Sequence, residues 1–364
     1  MSKWGVLGAT VTLARAVRTI STWRQVRELP REAVEDGSVT VVVPARDEAA
    51  TIDRCLTGLR KQDYDDLRIV VVDDASTDGT ADIVRRHAED DPRVELVRSD
   101  GPPSGWAGKV HALHVGTADA RSDWLLFVDA DTEATPDLVG RLVAAATTGG
   151  VDLVSTAGRS TTANAGWWLL LPPVNALLFE SASVDGTRGK ALAIGHCILV
   201  RREACERAGG WRAVAGSRSD DIDFATLVRD AGGRTRYVDG GGTLTTSGLA
   251  TFGATYRSMR KSLAAGVAER GPATAFLVLG AMGVAHIAYG VAPIVTTLRG
   301  SKPGAVAWLA QALAHWAYFR RVGQPRSAAV LAPFGAVALG VLALDTAWRS
   351  LRGGATWKGR DVRD

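Results

Sequence analysis

Four acidic clusters follow one another along the chain: Asp47-Glu48, Asp73-Asp74, Asp129-Ala130-Asp131 and Asp220-Asp221. The first three each close an apolar, β-type run, at 39–43, 69–72 and 124–128. In an open α/β sheet, ligands bind outside the carboxyl ends of the strands. Three carboxylate groups placed there converge on one crevice. Carboxylates side by side repel unless a cation separates them. A divalent metal and a nucleotide carrying its own negative charge are the natural occupants of such a crevice.

Between residues 39 and about 150, strand and helix signals alternate. Strand 39–43 leads to a helix over about 48–60. Strand 68–72 leads to a helix starting near Asp78, whose carboxylate suits an N-cap. A short strand at 94–97 precedes a helix from near Gly108. Strand 124–128 leads to the Asp129 loop and a helix with Pro136 in its first turn. This spacing predicts an α/β fold with a mostly parallel sheet and helices on both faces. Asp129 and Asp131 sit two residues apart just past a strand, so both carboxylates face one side. Lys109, after Gly105 and Gly108, stands at a helix start where backbone N–H groups favour anions, and can reach a diphosphate or a site carboxylate.

Five segments, in order, resemble family 2 glycosyltransferases: Val-Val-Val-Pro-Ala-Arg-Asp-Glu (41–48), Val-Val-Asp-Asp-Ala-Ser-Thr-Asp-Gly-Thr (71–80), Gly-Lys-Val-His-Ala-Leu (108–113), Asp-Ala-Asp (129–131) and Asp-Asp-Ile-Asp-Phe (220–224). An Asp-x-Asp triplet alone says little; the ordered set is specific. Within the family, the Gly-Trp-Ala-Gly-Lys segment (105–109) and the apolar C-terminal region resemble hopanoid-associated and carotenoid-type transferases. The resemblance implies a nucleotide-sugar-binding, GT-A-like domain over 39–255 and an inverting transfer from a nucleoside-diphosphate sugar, UDP-sugars favoured, with Mg²⁺ or Mn²⁺.

By the same resemblance, Pro44, Asp47 and Asp74 belong to the donor side, the carboxylates recognising uracil and ribose. Asp129 binds the metal–diphosphate group and Asp131 is the metal ligand. Asp221 is the base that deprotonates the acceptor hydroxyl, and Asp220 lies on the acceptor side, where helix capping would equally account for it. Trp211 follows Gly209-Gly210 where relatives place an acceptor-site aromatic; a core tryptophan is the alternative. Arg257 and Arg260, in a segment similar to the Gln/Arg-x-x-Arg-Trp motif of membrane transferases, would hold the diphosphate. Lys261 stands where that motif has Trp, which weakens a processive polysaccharide synthase reading. A non-catalytic donor-binding scaffold is the rival from another class.

Charge separates the chain into two parts. Residues 256–364 hold 14 lysines and arginines against 4 acids, while the whole chain carries only +4. Basic flanks around long apolar runs point to a membrane surface and a lipid acceptor, not nucleic acid. The runs are 273–298, 304–319 and 328–348, of which the first and third reach spanning length. Arg257, Arg260, Lys261, Arg320, Arg321 and Arg326 place their loops in the cytoplasm. A Trp357-Lys358-Gly359-Arg360 end on the catalytic side favours an even number of crossings: a multi-pass cell-membrane protein with a cytoplasmic catalytic domain. Residues 1–38 begin with an apolar run broken by Arg15 and Arg18, which suits an interfacial helix or one packed on the main domain. The segment 166–179 is apolar but holds Pro172-Pro173, which argues against a continuous spanning helix. Cys55, Cys197 and Cys205 form no C-x-x-C pair and read as buried apolar thiols in a reducing compartment.

Overall fold

The structure, a computed structural model, describes residues 3–162, 164–352, 356–357 and 360–361. The chain begins with α1 (Lys3–Gln25) and β1 (Arg27–Glu28). β2 (Val39–Ala45), α2 (Ile52–Arg60), β3 (Leu67–Asp74), α3 (Thr80–Asp90), β4 (Val94–Ser99), α4 (Gly108–Thr117) and β5 (Trp124–Val128) then alternate. β6 (Thr132–Ala134), α5 (Leu138–Gly149), β7 (Leu153–Thr156), β8 (Arg159–Ser160) and α6 (Ala165–Ser181) follow. Next come β9 (Ala182–Ser183), β10 (Lys190–Ala191), β11 (Cys197–Arg201), α7 (Arg202–Arg207), α8 (Asp220–Asp230), β12 (Thr235–Asp239) and β13 (Leu244–Thr246). Four helices follow, α9 (Phe252–Ala265), α10 (Pro272–Leu298), α11 (Lys302–Val322) and α12 (Ala332–Arg352), and then two short antiparallel strands, β14 (Thr356–Trp357) and β15 (Arg360–Asp361).

Two compact units are built from interleaved segments, one from residues 26–161 and 182–248, the other from the residues up to 25, 162–181 and those from 249 on. The domain boundaries therefore differ from the expected 1–38, 39–255 and 256–364. Residues 26–38 join the sheet unit, since β1 adds to the sheet edge beside β12. The 162–181 segment joins the helical unit.

The sheet unit holds eight strands in the order β1-β12-β7-β11-β5-β2-β3-β4. All neighbours are parallel except where β11 runs antiparallel to both β5 and β7. The strands read as nearly continuous valine, isoleucine and leucine because both faces are covered. Val41, Val43, Ile69, Val71 and Leu126 pack against α2, α3 and α5 on one face. Their alternates Val42, Val70, Val72, Leu125 and Phe127 pack against α4, α7 and α8 on the other. Pro44 is tolerated in a central strand because pairing of β2 with β5 ends at Val42. The three cysteines are buried and free. Burial pushes the Cys55 thiol up to about 12.

In the helical unit, α6 is one unbroken helix of 17 residues with Pro172 and Pro173 inside it. Two successive prolines leave the carbonyls one turn back without helical donors. One of these, Leu169 O, is met by the backbone of α12: a Cβ on Gly335 would lie 2.8 Å from it. Helices α10 and α12 approach closely through glycines. A Cβ on Gly283 would lie 2.9 Å from Gly340 O, and one on Gly340 would lie 2.7 Å from Gly283 O. Small residues at such a crossing are the usual means of close helix packing in an apolar medium. α1 packs on α11 of the helical unit through Ala16, Ala310 and Ala314. Two helical stretches, Pro272–Leu298 and Arg326–Arg352, are long and apolar enough to cross a membrane. The Trp357–Arg360 motif lies outside the residues whose side chains are described.

Candidate active site

The carboxyl ends of β2, β3 and β5 open onto one edge of the sheet, as their parallel register requires. The turns after β2 and β3 are laced together. Asp47 N–H donates to Ser76 Oγ at 3.0 Å, and Thr77 N–H donates back to Asp47 Oδ1 at 2.8 Å. Ala49 N–H donates to Asp78 Oδ2 at 3.0 Å. Asp78 thus ties the turns together, and its Oδ1 also accepts from Thr80 N–H at 3.0 Å at the start of α3, although Gly79 holds the N-cap position. Asp47 and Ala75 are held at φ +50° and +52°, a conformation that costs non-glycine residues of order 1 kcal/mol each. Such strain persists only where surrounding contacts enforce it, and it concentrates at binding sites.

Asp74 is 2% exposed. Its Oδ2 lies 3.5 Å from Arg46 Nη1, and Arg46 also donates to Asp74 O at 3.1 Å. Arg46 Nε is 3.9 Å from Asp47. One guanidinium therefore faces both predicted donor-side carboxylates, although the sequence reading gave Arg46 no role. Asp73 points elsewhere: its Oδ1 accepts from Ser76 N and its Oδ2 lies 3.5 Å from Arg98.

At β5, Lys109 Nζ stands 2.5 Å from Asp129 Oδ1, so Lys109 reaches a site carboxylate. Asp131 is fixed from β13, its Oδ2 accepting from Thr246 Oγ1 at 3.2 Å. Burial and the neighbouring Asp129 raise the Asp131 pKa above the usual carboxylate range, with His196 and Thr246 pulling it down. Two crowded oxygen donors of this kind fit a divalent cation, which relieves their mutual repulsion. Among the described residues, no group of three or more His, Cys, Asp or Glu stands in metal-binding geometry. Any metal would thus rest on Asp131, with Asp129, and on ligands from elsewhere.

β11 runs antiparallel, so its amino end meets the carboxyl ends of β5 and β7: Cys197 pairs with both Val128 and Thr156. The preceding Gly195-His196 turn thereby enters the crevice. His196 O accepts from Asp129 N–H at 3.2 Å, and His196 Nδ1 accepts from Gly158 N–H at 3.1 Å. Gly195 O accepts from Lys109 Nζ at 3.4 Å, while Gly195 N–H donates to Asp221 Oδ2 at 2.9 Å. A Cβ on Gly195 would lie 2.8 Å from Lys109 Nζ and 3.6 Å from Asp221 Oδ2. Only a glycine lets the lysine and the carboxylate approach from both sides. Gly195 and His196 precede the amino end of a strand, so the pattern of acidic strand ends in the sequence carries no signal for them.

Asp221, in the first turn of α8, also accepts from Ile222 N–H at 2.9 Å. Its carboxyl is pushed up to about 6 by burial and by Asp220, against the pull of Lys109 and the two backbone N–H groups. Burial disfavours the Lys109 ammonium, but Asp129, Asp220 and Asp221 together raise its pKa. Asp129, Asp131, Lys109, Asp220 and Asp221 are thus brought together around one turn.

Trp211 does not join them. It is 1% exposed, stacked on Phe224 at 4.1 Å and set edge-on to Phe127 at 4.9 Å. Its ring belongs to the core under α8, which replaces the expected acceptor contact. Arg257 and Arg260 lie on α9 of the helical unit, where Arg260 Nη1 is 3.5 Å from Asp345 Oδ2.

Comparison with known proteins agrees with this geometry. The probable glycosyltransferase YdaM of Bacillus subtilis is 30% identical over 235 residues, which cover 60% of this chain and 52% of that protein. The 4,4'-diaponeurosporenoate glycosyltransferase of Staphylococcus haemolyticus is 36% identical over 103 residues, covering 28% and 26% respectively. The chain thus spans between a quarter and about half the length of these two relatives. The mannosyltransferase PcManGT from Pyrobaculum calidifontis, solved with GDP-Man and Mn²⁺, shares the fold over 95% of each chain, with a TM-score of 0.57 at 21% identity. The glycosyl transferase family 2 model matches residues 40–209, and the chain accordingly carries a GT-A-fold domain of glycosyltransferase family 2.

Proposed function

We propose that the protein is a membrane-associated inverting glycosyltransferase. It moves a sugar from a nucleoside-diphosphate sugar, UDP-sugars favoured, to a hydroxyl of a lipid-like acceptor. The observation that carries this reading is the convergence of Lys109, Asp129, Asp131 and Asp221 on the Gly195 turn.

Asp74 and Asp47 take the nucleoside side of the donor, with Arg46 offsetting their charge. Asp131, with Asp129, would hold Mg²⁺ or Mn²⁺, which supplies charge stabilisation for a departing diphosphate. Lys109 adds a fixed cation beside them. Asp221 takes the proton from the acceptor hydroxyl. That oxygen bonds to the anomeric carbon from the face opposite the diphosphate, and the carbon–phosphate-oxygen bond breaks, which inverts the centre. A carboxyl titrating near 6 is ionised at neutral pH yet more basic than an ordinary aspartate, which suits a general base. Asp220 lies on the acceptor side, and Arg257 and Arg260 are assigned to the diphosphate.

Two helices of spanning length, the basic flanks of the last third and the name of the relative 4,4'-diaponeurosporenoate glycosyltransferase support the membrane and the lipid-like acceptor. Positive flanks support a multi-pass protein in the cell membrane with a cytoplasmic catalytic unit.

The test is turnover of a panel of UDP- and GDP-sugars by the full chain in membranes, with Mn²⁺ or EDTA. Metal-dependent nucleoside diphosphate release that needs added lipid, and is lost in Asp221→Asn, is expected. Release that is indifferent to lipid and to the substitution refutes the reading.

A further inference from the structure

The helical unit contains a largely apolar cleft, with a few polar side chains in its wall, that the proposed chemistry does not use. It measures about 40 Å³ and is lined by Arg15 of α1, His286 and Tyr289 of α10, and Gln311 and His315 of α11. Ionisable and amide groups among apolar, membrane-length helices are costly and mark functional sites. Most of the polar atoms are oriented by one another. His286 Nδ1 lies 2.9 Å from Met282 O, so this nitrogen carries the proton, and His286 Nε2 accepts from Arg15 Nη2 at 3.2 Å. Arg15 packs over the Tyr289 ring, and its Nε is 3.9 Å from Glu180, beyond hydrogen-bond reach. Gln311 donates from Nε2 to Tyr289 O at 3.0 Å, which fixes which end of the amide is oxygen.

Two atoms are left over. Gln311 is 4% exposed, yet its Oε1 is a buried acceptor that meets no donor among the described residues, and His315 Nδ1 is in the same condition. Leaving such groups unpaired is costly, so the cleft is built for something that pairs them. The partner must donate to Gln311 Oε1 and, with a proton on His315 Nδ1, accept from His315. A carboxylate or phosphate only accepts and would face the amide oxygen and Glu180 unfavourably. A hydroxyl does both.

We propose that this cleft binds the hydroxyl-bearing head of a membrane amphiphile, its chain lying along the exposed apolar faces of the helices. Val11 of α1, one turn before Arg15 on the same helix face, is an exposed large apolar side chain. The volume takes about three water-sized groups, which a hydroxyl and the carbons bearing it fill. The inference rests on the membrane reading above, but not on the acid–base assignments.

The experiment uses the full chain in detergent, with binding measured for 1,2-dioctanoylglycerol and for its 3-O-methyl ether, which keeps the acceptor and lacks the donor. The free alcohol is expected to bind about tenfold more tightly, the worth of one hydrogen bond. Gln311→Met is expected to remove that preference, while Gln311→Glu, an acceptor, preserves it. UDP binding, measured alongside, is expected to stay unchanged in both variants and reports that each is folded. Equal affinity for alcohol and ether, binding of neither, or a preference that survives Gln311→Met overturns the proposal; binding of neither means that the cleft holds only water. A chain that binds the alcohol selectively but turns over no sugar nucleotide defeats the transferase reading and leaves this site standing.

Discussion

If Asp221 is the base, the pH dependence of the reaction is set by its surroundings, and each neighbour moves it in a known direction. Its carboxyl is raised from 3.8 to about 6, by burial first and Asp220 second, while Lys109 and two backbone N–H groups lower it. The gap corresponds to roughly 3 kcal/mol against the carboxylate. The rate constant kcat/KM should therefore fall about tenfold per pH unit below pH 6. Asp220→Asn removes a repulsive charge and should move the midpoint to lower pH. Lys109→Gln removes an attractive one and should move it up, along with a general loss of rate. The assay is a pH profile of nucleoside diphosphate release at lipid concentrations well below KM, where the rate reports kcat/KM, repeated at two Mn²⁺ concentrations. Asp131 also titrates high, and proton–metal competition there shifts with metal concentration, whereas the Asp221 midpoint does not. An unchanged midpoint in Asp220→Asn, or the same direction of movement in both variants, refutes the assignment.

Three further outcomes follow from the same geometry. Gly195→Ala puts a Cβ 2.8 Å from Lys109 Nζ; turnover should fall by about a hundredfold from the displaced lysine and base, with little change in thermal unfolding. Trp211→Ala should cost about 3–5 kcal/mol in chemical denaturation. Trp211→Phe should keep the acceptor KM, because the ring is buried and packs on Phe224 inside the core. Asp221→Asn should abolish turnover but raise stability at pH 7.5 by about 1 kcal/mol or more. The folded pKa of Asp221 exceeds the unfolded one, so stability falls as pH rises from 3.8 through about 6 and stays lowered above it. A drop in the unfolding temperature of that variant at pH 7.5 would count against the burial argument.

The alternation of strands and helices was legible because each parallel strand is apolar on both faces and each covering helix has one apolar side. The three acidic edges were legible for the same reason: they end such strands. What was not legible depends on partners far apart in sequence. Gly195 and His196 enter the crevice only because β11 reverses direction, and five residues of β-type sequence do not carry a direction. By resemblance Trp211 stood at an acceptor-site position, with a core tryptophan as the alternative; its stack on Phe224 is visible only once α8 lies across the sheet. Pro172-Pro173 argued against a continuous spanning helix; how α6 accommodates them was not legible, because Gly335, far along the chain, closes on one of the carbonyls they strand.

The placement of Lys109 explains how a site with so many carboxylates stays usable. Asp129, Asp131, Asp220 and Asp221 cluster with a single lysine, and that lysine reaches both halves: its Nζ contacts Asp129, and its charge lowers the pKa of Asp221. Without the cation, Asp221 would lie under burial and repulsion alone, and more of it would be protonated at neutral pH. With the cation hydrogen-bonded to Asp221 itself, the carboxylate would be held too firmly to accept a proton. Gly195 sets the intermediate case. Its carbonyl takes the ammonium on one side and its N–H takes the carboxylate on the other, so the two charges act through a short gap. The Asp221 pKa can then settle near 6, between the ordinary aspartate value and one too high for a base at neutral pH.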